Sequence, residues 1–263
     1  MLIDTHAHLD FLEFAPDLDE VIQRAIDAGV ERIITIGTTL ESSRKSVQLA
    51  ERYIGVYASI GIHPNSASQE RHDFILDFRE LAKHPKVVAI GETGLDFYRL
   101  PTDRAATEFE KAAQLAAFEQ QLQFADSLGK SVVIHQRNSW DATLKILSEY
   151  AGRLRAVIHC FNGSPAQARE AFELGFFISF NGIVTFKNAN EVREAAALAP
   201  SGQIMVETDS PYLAPVPYRG KRCEPAFVKQ TSALIASIRG LQPEAFAEQS
   251  TLNAKKFFGL KPI

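Results

Sequence analysis

Two histidines near the start of the chain have a spacing that suits metal binding. His6 and His8 flank Ala7 directly after the β-rich run Leu2–Thr5. Alternate residues of a strand point to the same side, so both imidazoles would face one ion while Ala7 faces away. The motif alone is a weak signal, because two surface or hydrogen-bonded histidines explain it more simply.

Four further polar side chains also stand at the ends of apolar runs. They are Glu92 after Val87–Gly91, His135 after Val132–Ile134, His159 after Ala156–Ile158, and Asp209 at the end of Glu207-Thr208-Asp209. A buried carboxylate needs a cation or strong donors, and buried imidazoles need partners, so one shared cation site would satisfy these groups together. We therefore predict a metal site formed by His6, His8, Glu92, His135, His159 and Asp209. For any single histidine or Glu92 a hydrogen bond in the core is the better explanation, and Asp209 alone suits a turn cap.

The distribution of histidines favours a shared site. Five of the seven stand at strand ends if His63, which follows Val56–Ile60, is included, whereas His72 and His84 fall in helical or loop segments. Glu207 has the same parity as Asp209 and is expected deeper in the fold, so Asp209 is the preferred ligand.

These residues are positioned by short β-rich runs that alternate with amphipathic segments. The predicted helices include Leu18–Ala28, ended by Gly29, and one that begins after the N-cap Ser164. Helices after Glu224 are expected to complete the outer layer. The predicted strands are Leu2–Thr5, Arg32–Ile36, Val56–Ile60, Val87–Ile90, Ser131–Ile134, Ala156–His159, Phe176–Phe180 and Gln203–Val206.

The position of the polar residues distinguishes two α/β architectures with this alternation. An open doubly wound sheet would show the same pattern of strands and helices. A closed barrel, however, brings the carboxyl ends of early, middle and late strands to one mouth. We therefore predict a TIM-like (β/α)₈ barrel.

Composition limits the classes of protein that remain. With 263 residues, 46% of them hydrophobic, the chain is expected to form a single domain, 1–263. The acidic and imidazole groups at its start do not suit a signal peptide, no apolar run approaches the ~20 residues of a membrane span, and two cysteines give no disulfide framework. A cytoplasmic location is expected, with no membrane association and no obligate protein partner.

The net charge of -4 argues against a protein that coats nucleic acid non-specifically, but it does not argue against an enzyme that acts on nucleic acid.

Longer motifs resemble the TatD-related deoxyribonuclease family over nearly the whole chain. They are Asp4-Thr5-His6-Ala7-His8-Leu9-Asp10, Gly61-Ile62-His63-Pro64, Gly91-Glu92-Thr93-Gly94-Leu95-Asp96, His159-Cys160-Phe161 and Glu207-Thr208-Asp209-Ser210-Pro211-Tyr212-Leu213-Ala214-Pro215. The resemblance implies a TIM-like barrel, one or two divalent ions and hydrolysis of phosphodiester bonds, commonly in DNA. It also implies that Glu92 bridges two ions and that His63 lies near substrate phosphate. The metal ligands that it implies are His6, His8, Glu92, His135, His159 and Asp209.

Two positions depart from the family pattern. Asn138 stands where relatives often have Asp, and Cys223 where Asn is frequent. Neither removes a proposed ligand.

Cys160 is a poor ligand candidate, because it follows His159 on a strand and should point to the opposite face as a packing thiol.

The chemistry of these groups suggests a mechanism without fixing the metal. Nitrogen and oxygen ligands suit Mg²⁺, Mn²⁺ or Zn²⁺. Asp209 and Glu92 are expected to act in catalysis with His63, and Asp209 could accept the proton of the attacking water. Substrate phosphates could contact His63 and the cationic side chains Arg137, Arg219, Lys221 and Arg222, although solvated surface charge explains each of the latter equally well.

The leading hypothesis is that the protein is a metal-dependent deoxyribonuclease, which acts as a 3′-5′ exonuclease and shortens single-stranded DNA from its 3′ end. One alternative is hydrolysis of another ester or amide such as aminoacyl-tRNA, since the same activated water could attack a carbonyl. The other is a non-catalytic module that binds in a metal-dependent manner.

Overall fold

Eight parallel strands form the centre of the structure, a computed structural model that describes residues 1–71 and 73–261. Each strand pairs with the next in chain order, which confirms the predicted TIM-like (β/α)₈ barrel. His72 lies outside the described residues. The strands are β1 Leu2–Ala7, β2 Val30–Ile36, β3 Val56–Ile60, β4 Val87–Asp96, β5 Ser131–Arg137, β6 Ala156–Ile158, β7 Phe177–Phe180 and β8 Ile204–Val206.

Helices follow the strands and cover the outside of the barrel. Among the described residues, none of them combines the length and the apolar character needed to cross a membrane. Ser164 caps α6 as predicted, because its side chain accepts a hydrogen bond from the Gln167 backbone N–H. The helices are α1 Leu18–Asp27, α2 Leu40–Arg52, α3 Phe74–Leu81, α4 Arg104–Leu128, α5 Trp140–Ser148, α6 Pro165–Glu173, α7 Asn190–Leu198, α8 Val228–Ile238 and α9 Pro243–Phe258.

The seam between β8 and β1 is closed by side chains as well as by backbone. Asp209 donates its backbone N–H to His6 O at 2.9 Å, and His8 donates to Ser210 O at 2.8 Å. The buried Asp4 carboxyl group accepts hydrogen bonds from both the backbone N–H and the hydroxyl of Thr208, at 2.9 and 2.6 Å. Burial raises the pKa of Asp4 to about 8. These contacts bring the residues that follow β8 beside His6 and His8.

The last helix closes the opposite end of the barrel rather than only extending the outer layer. Phe257 and Phe258 at the end of α9 pack against the side chains that fill the barrel interior, among them Val133 and Met205. The Phe257 carbonyl also accepts a hydrogen bond from Ser131, the first residue of β5. The amino-terminal opening of the barrel is therefore packed with apolar side chains, and the polar residues lie at the carboxyl ends of the strands.

Most differences from the predicted strands lie at strand ends. β2 begins at Val30 rather than Arg32, β7 and β8 each begin one residue later, β1 continues to Ala7, and β6 stops before His159. β4 and β5 stay paired as far as Asp96 and Arg137. The pairing passes Gly91 and Gly94, at φ 124° and 139°, where a Cβ would collide with the β5 backbone. Glycine permits this close approach, and as a result Glu92 lies within a strand rather than after one.

Two buried glutamines on α4 attach the helix to the site end of the barrel. Gln121 accepts a hydrogen bond from the Ile62 backbone N–H at 2.8 Å and donates to Ile62 O at 3.1 Å and to the Thr93 hydroxyl at 2.7 Å. Gln114 makes the same pair of backbone hydrogen bonds with Asp96, at 2.9 and 3.1 Å. The helix thereby fixes the segments that carry His63 and Asp96.

Replacing Gln121 by Ala should lower the free energy of unfolding by about 2–4 kcal/mol, because the buried Ile62 amide groups lose their partners. Urea unfolding monitored by circular dichroism measures this loss. Gln123→Ala on the exposed face of the same helix is the control, with an expected change below about 0.5 kcal/mol. Equal small losses in both variants would contradict the role assigned to Gln121.

Candidate metal centre

A cavity of about 630 Å³ opens at the carboxyl ends of the strands. Five of the six predicted ligands line it, and the sixth, His6, is buried directly beneath. A volume of this size is typical of pockets that enclose a small ligand. The lining ligands are His8, Glu92, His135, His159 and Asp209, and His63 lines the cavity as well.

One oxygen of the Glu92 carboxylate faces the two histidines of β1 and its following loop. Glu92 Oε2 lies 3.5 Å from His6 Nε2 and 3.9 Å from His8 Nε2. Asp209 Oδ1 completes this first group at 3.7 Å from His6 Nε2 and 3.4 Å from His8 Nε2. Three side chains from the seam between β8 and β1 thus meet one carboxylate oxygen from β4.

The other oxygen of Glu92 faces a second group. Glu92 Oε1 lies 2.8 Å from both His135 Nδ1 and His159 Nε2, and 3.5 Å from His63 Nε2. The same carboxylate therefore belongs to two groups of donor atoms, one for each oxygen.

Three of the histidines have an oxygen within 3.5 Å of the ring nitrogen that faces away from Glu92, and among these three only His8 meets hydrogen-bond geometry. His8 Nδ1 lies 3.3 Å from Ile36 O, His159 Nδ1 lies 3.4 Å from Glu207 Oε1, and His135 Nε2 lies 3.3 Å from Asp96 Oδ2. An oxygen at that position holds the proton on the outer nitrogen and leaves the inner nitrogen free to bind a cation. Metal-ligating histidines in proteins almost always have such a partner.

Asp96 was not assigned a role from the sequence, although it ends one of the family motifs. Its Oδ1 accepts a hydrogen bond from the Tyr98 backbone N–H at 2.9 Å, and its Oδ2 accepts one from Asn65 Nδ2 at 3.2 Å. Through its contact with His135, Asp96 connects the loops after β3 and β4 to the second group. Its position at the end of a strand, beside other polar strand ends, is a signal that could have identified it.

The ring of His63 is oriented by a backbone hydrogen bond, and it lies with Glu92 and His135 in a group that could hold a metal ion. The Asn65 backbone N–H donates to its Nδ1 at 3.1 Å, so the proton of the neutral ring must be on Nε2. Burial lowers the pKa of His63 to about 3, which keeps the ring neutral. In this tautomer Nε2–H points towards the second group, 3.3 Å from His135 Nδ1.

Burial opposes the charges of the carboxylates and imidazoles in the two groups of donor atoms. Burial disfavours the Glu92 anion, yet the surrounding His159, His63 and His135 hold its pKa well below the usual range. Burial likewise opposes a charge on His159, but Glu92 and Glu207 raise its pKa well above that of a free imidazole. His6 stacks on His159 with the ring centroids 3.9 Å apart, and its pKa is lowered by burial and by that neighbour. Protonation of one stacked ring therefore disfavours protonation of the other.

Divalent cations fit the donor atoms better than protons do. His6 Nε2 and His8 Nε2 face each other at 3.3 Å, and His6 Nδ1 is buried with no hydrogen-bond partner among the described residues. Imidazole nitrogens and carboxylate oxygens, without a thiolate, suit Mg²⁺, Mn²⁺ or Zn²⁺.

Of the four cationic residues expected to contact substrate, one lines the cavity and three do not. Arg137 lines the cavity with its guanidinium carbon 3.8 Å from the centre of the Tyr98 ring, and Arg99, which sequence reasoning missed, lines it too. The other three cationic residues lie outside the lining. Arg222 donates two hydrogen bonds of 2.7 Å to the Asp17 carboxylate, Arg219 stacks on Phe186 at 3.7 Å, and Lys221 is exposed.

The expected orientation of Cys160 is wrong. Its side chain lines the cavity, where Sγ accepts a hydrogen bond from Asn181 Nδ2 at 3.0 Å. Strand alternation no longer applies, because β6 ends at Ile158 and Cys160 has a φ of 49°. Burial raises the pKa of the thiol well above its usual range, so it remains a neutral group.

The two departures from the family pattern lie outside the cavity lining. Asn138 has a φ of 54°, a left-handed conformation that Asn tolerates better than most residues. Cys223 is buried, and its backbone N–H donates to Pro211 O at 3.0 Å.

Comparison with known proteins gives a consistent result. A family model described as TatD related DNase matches residues 3–259. The chain is 38% identical to the uncharacterized metal-dependent hydrolase YabD of Bacillus subtilis, over 98% of this chain and 99% of that protein. It is 35% identical to the 3'-5' ssDNA/RNA exonuclease TatD of Erwinia billingiae, over 98% and 99% of the two chains. The crystal structure of YjjV, a TatD homologue from Escherichia coli, superposes with a TM-score of 0.91 at 28% identity, covering 99% of this chain and 98% of that one.

Asp96→Asn should weaken the binding of Mn²⁺ or Zn²⁺ to the second group by about 10- to 100-fold, because His135 loses the anion beside its ring. Isothermal titration of the metal-free protein measures the effect. Glu119→Gln, an exposed acid of α4, is the control for the loss of one charge. Unchanged metal affinity in folded Asp96→Asn would rule out this role of Asp96.

Proposed function

This chain belongs to the family of TatD-related DNases, and we propose that it hydrolyses phosphodiester bonds of single-stranded DNA stepwise from the 3′ end, as one domain, 1–263. The observation that carries the proposal is the Glu92 carboxylate, with one oxygen in each of two groups of donor atoms. The name of the Erwinia relative, a 3'-5' ssDNA/RNA exonuclease, supports the choice of substrate and polarity.

We assign the metal ligands as two sets that share Glu92. His6, His8 and Asp209 would hold one divalent ion, and His135 and His159, both 2.8 Å from Glu92 Oε1, would hold the other. Two such ions, when bound, would polarise a phosphoryl oxygen, lower the pKa of a water and stabilise the leaving oxygen. Mg²⁺, Mn²⁺ and Zn²⁺ all suit the ligands.

Asp209 is proposed to accept the proton of the attacking water. Burial raises the pKa of Asp209, but His8, His6 and His159 outweigh it and hold the pKa below its ordinary value. The carboxylate is therefore ionised and can take up a proton. It lines the cavity at its floor, where a water and the scissile phosphate would meet.

His63 and two arginines are proposed to hold the phosphate. The Nε2–H of His63 can donate a hydrogen bond to a phosphoryl oxygen beside the second group of ligands. Arg99 makes no ion pair or hydrogen bond among the described residues, so its guanidinium is available to an anion. Arg137 lies on the same side of the cavity. A phosphate bound by guanidinium groups gains charge-assisted hydrogen bonds.

The shape of the cavity supports attack at an end. Apolar side chains close the amino-terminal opening of the barrel, so a strand cannot thread through it. A flexible single-stranded terminus can enter such a cavity, whereas duplex DNA would first have to be unpaired.

The test is digestion of end-labelled oligonucleotides with Mg²⁺ or Mn²⁺ present. Single strands should be shortened from a free 3′ end with release of nucleotides, and a blocked 3′ end should prevent this. His6→Ala should reduce turnover by roughly 100-fold or more while circular dichroism stays unchanged, because a ligand of the first ion is lost. Gln123→Ala serves as the control with normal turnover.

Two results would overturn the proposal. One is the absence of cleavage of any DNA by folded, metal-loaded protein together with robust hydrolysis of an aminoacyl ester. The other is normal turnover in His6→Ala, which would remove the metal site from the reaction.

A further inference from the structure

The walls of the cavity differ in chemistry. The loops after β7, β8 and β1 contribute Ile183, Tyr212, Leu213 and Phe11, which are largely apolar. The loops after β3 and β4 and the end of β5 contribute polar and cationic groups, including Asn65, Arg99 and Arg137. In an eight-stranded barrel β4 lies across from β8, so the two sets of loops form opposite walls.

Tyr212 is the exposed aromatic of the apolar wall. Its side chain is 51% exposed, although the residue lines the cavity above Asp209. The Tyr212 ring meets the Phe11 ring edge to face at 6.1 Å, and Phe11 stacks on the predicted ligand His8 at 4.6 Å and 16°. The aromatic wall therefore extends from the donor groups of the site to solvent.

The turn that carries Tyr212 is held firmly by the rest of the structure. The Tyr212 N–H donates to Asp209 O at 3.0 Å, and Pro211 O accepts from Cys223 N–H at 3.0 Å. Pro211 itself is buried. The side chain is thus exposed because of its place on a fixed turn, and no hydrogen bond from its hydroxyl is present in residues 1–71 and 73–261. The ring is therefore open to a planar group that enters the cavity.

We propose that Tyr212, supported by Phe11, is the stacking site for the unpaired base of the terminal nucleotide, a proposal that rests on the function proposed above. The two walls complement the two parts of a nucleotide. A base offers a π face to the aromatic wall, and the phosphate offers its charge to Arg99 and Arg137 on the other side.

This assignment explains a preference for single strands without a preference for sequence. Every base has a π face that can stack on Tyr212, so base identity matters little. A base that is still paired and stacked within a duplex cannot lie against this wall.

The test compares two oligonucleotides that differ only at the 3′ terminus, one ending in a natural nucleotide and one in an abasic residue. The wild-type protein should have a KM about 5- to 100-fold lower for the terminus that carries a base. Tyr212→Ala should bring this ratio close to one, because the abasic terminus has no base to stack. Tyr212→Phe should retain the ratio, because stacking needs the ring and not the hydroxyl.

Phe109→Ala is the matched control, since Phe109 is 62% exposed on α4 and does not line the cavity. It should keep the wild-type ratio. If an active wild-type enzyme treats the two termini alike, the stacking site is wrong while the proposed function stands. The stacking site is equally wrong if Tyr212→Ala keeps the ratio.

If neither oligonucleotide is cleaved, the proposed function fails and binding decides the stacking site. Fluorescence anisotropy with Ca²⁺ present would compare the affinities for the two termini. Tighter binding of the base-bearing terminus that is lost in Tyr212→Ala supports the stacking site. Equal affinities, or no binding of either oligonucleotide, overturn it.

Discussion

The structure of the site depends on one buried carboxylate surrounded by imidazoles. Glu92 is only 3% exposed, and its two oxygens face separate groups of donor atoms. An uncompensated carboxylate at this depth would cost several kcal/mol, and so would a cluster of protonated histidines. Divalent cations between the oxygens and the imidazoles would resolve both costs, which is why the geometry supports a metal centre more strongly than any single ligand does.

The barrel provides this arrangement because it brings distant strands to one point. Glu92 stands on β4, and its partners come from β1, β5 and the segments after β6 and β8. Their relative positions depend on contacts that are not part of the site. Asp4 ties β1 to Thr208 across the barrel seam, α4 fixes the loops beside β3 and β4 through two glutamines, and α9 fills the opposite end of the barrel.

Strand alternation and polar strand ends were enough to predict the barrel and the six histidine and carboxylate residues that lie together at its mouth. The pairing of His6 with His8 is the clearest example, since both rings face Glu92 while Ala7 is buried on the other side. The same rule fails at Cys160, where the backbone leaves the extended conformation. Sequence also cannot show which charges are already paired. Arg222 is bound to Asp17, while Arg99 is free to face the cavity, because that distinction depends on contacts between distant loops.

Glu92 is proposed to join two cations into one centre. Electron paramagnetic resonance of the protein loaded with Mn²⁺ tests it directly, because two ions about 3.5–4 Å apart couple magnetically. The wild-type protein should give the spectrum of a coupled pair at two ions per chain, and Glu92→Gln should give only the spectrum of isolated Mn²⁺. A wild-type protein that binds only isolated ions, or a coupled pair that persists in Glu92→Gln, would contradict this account.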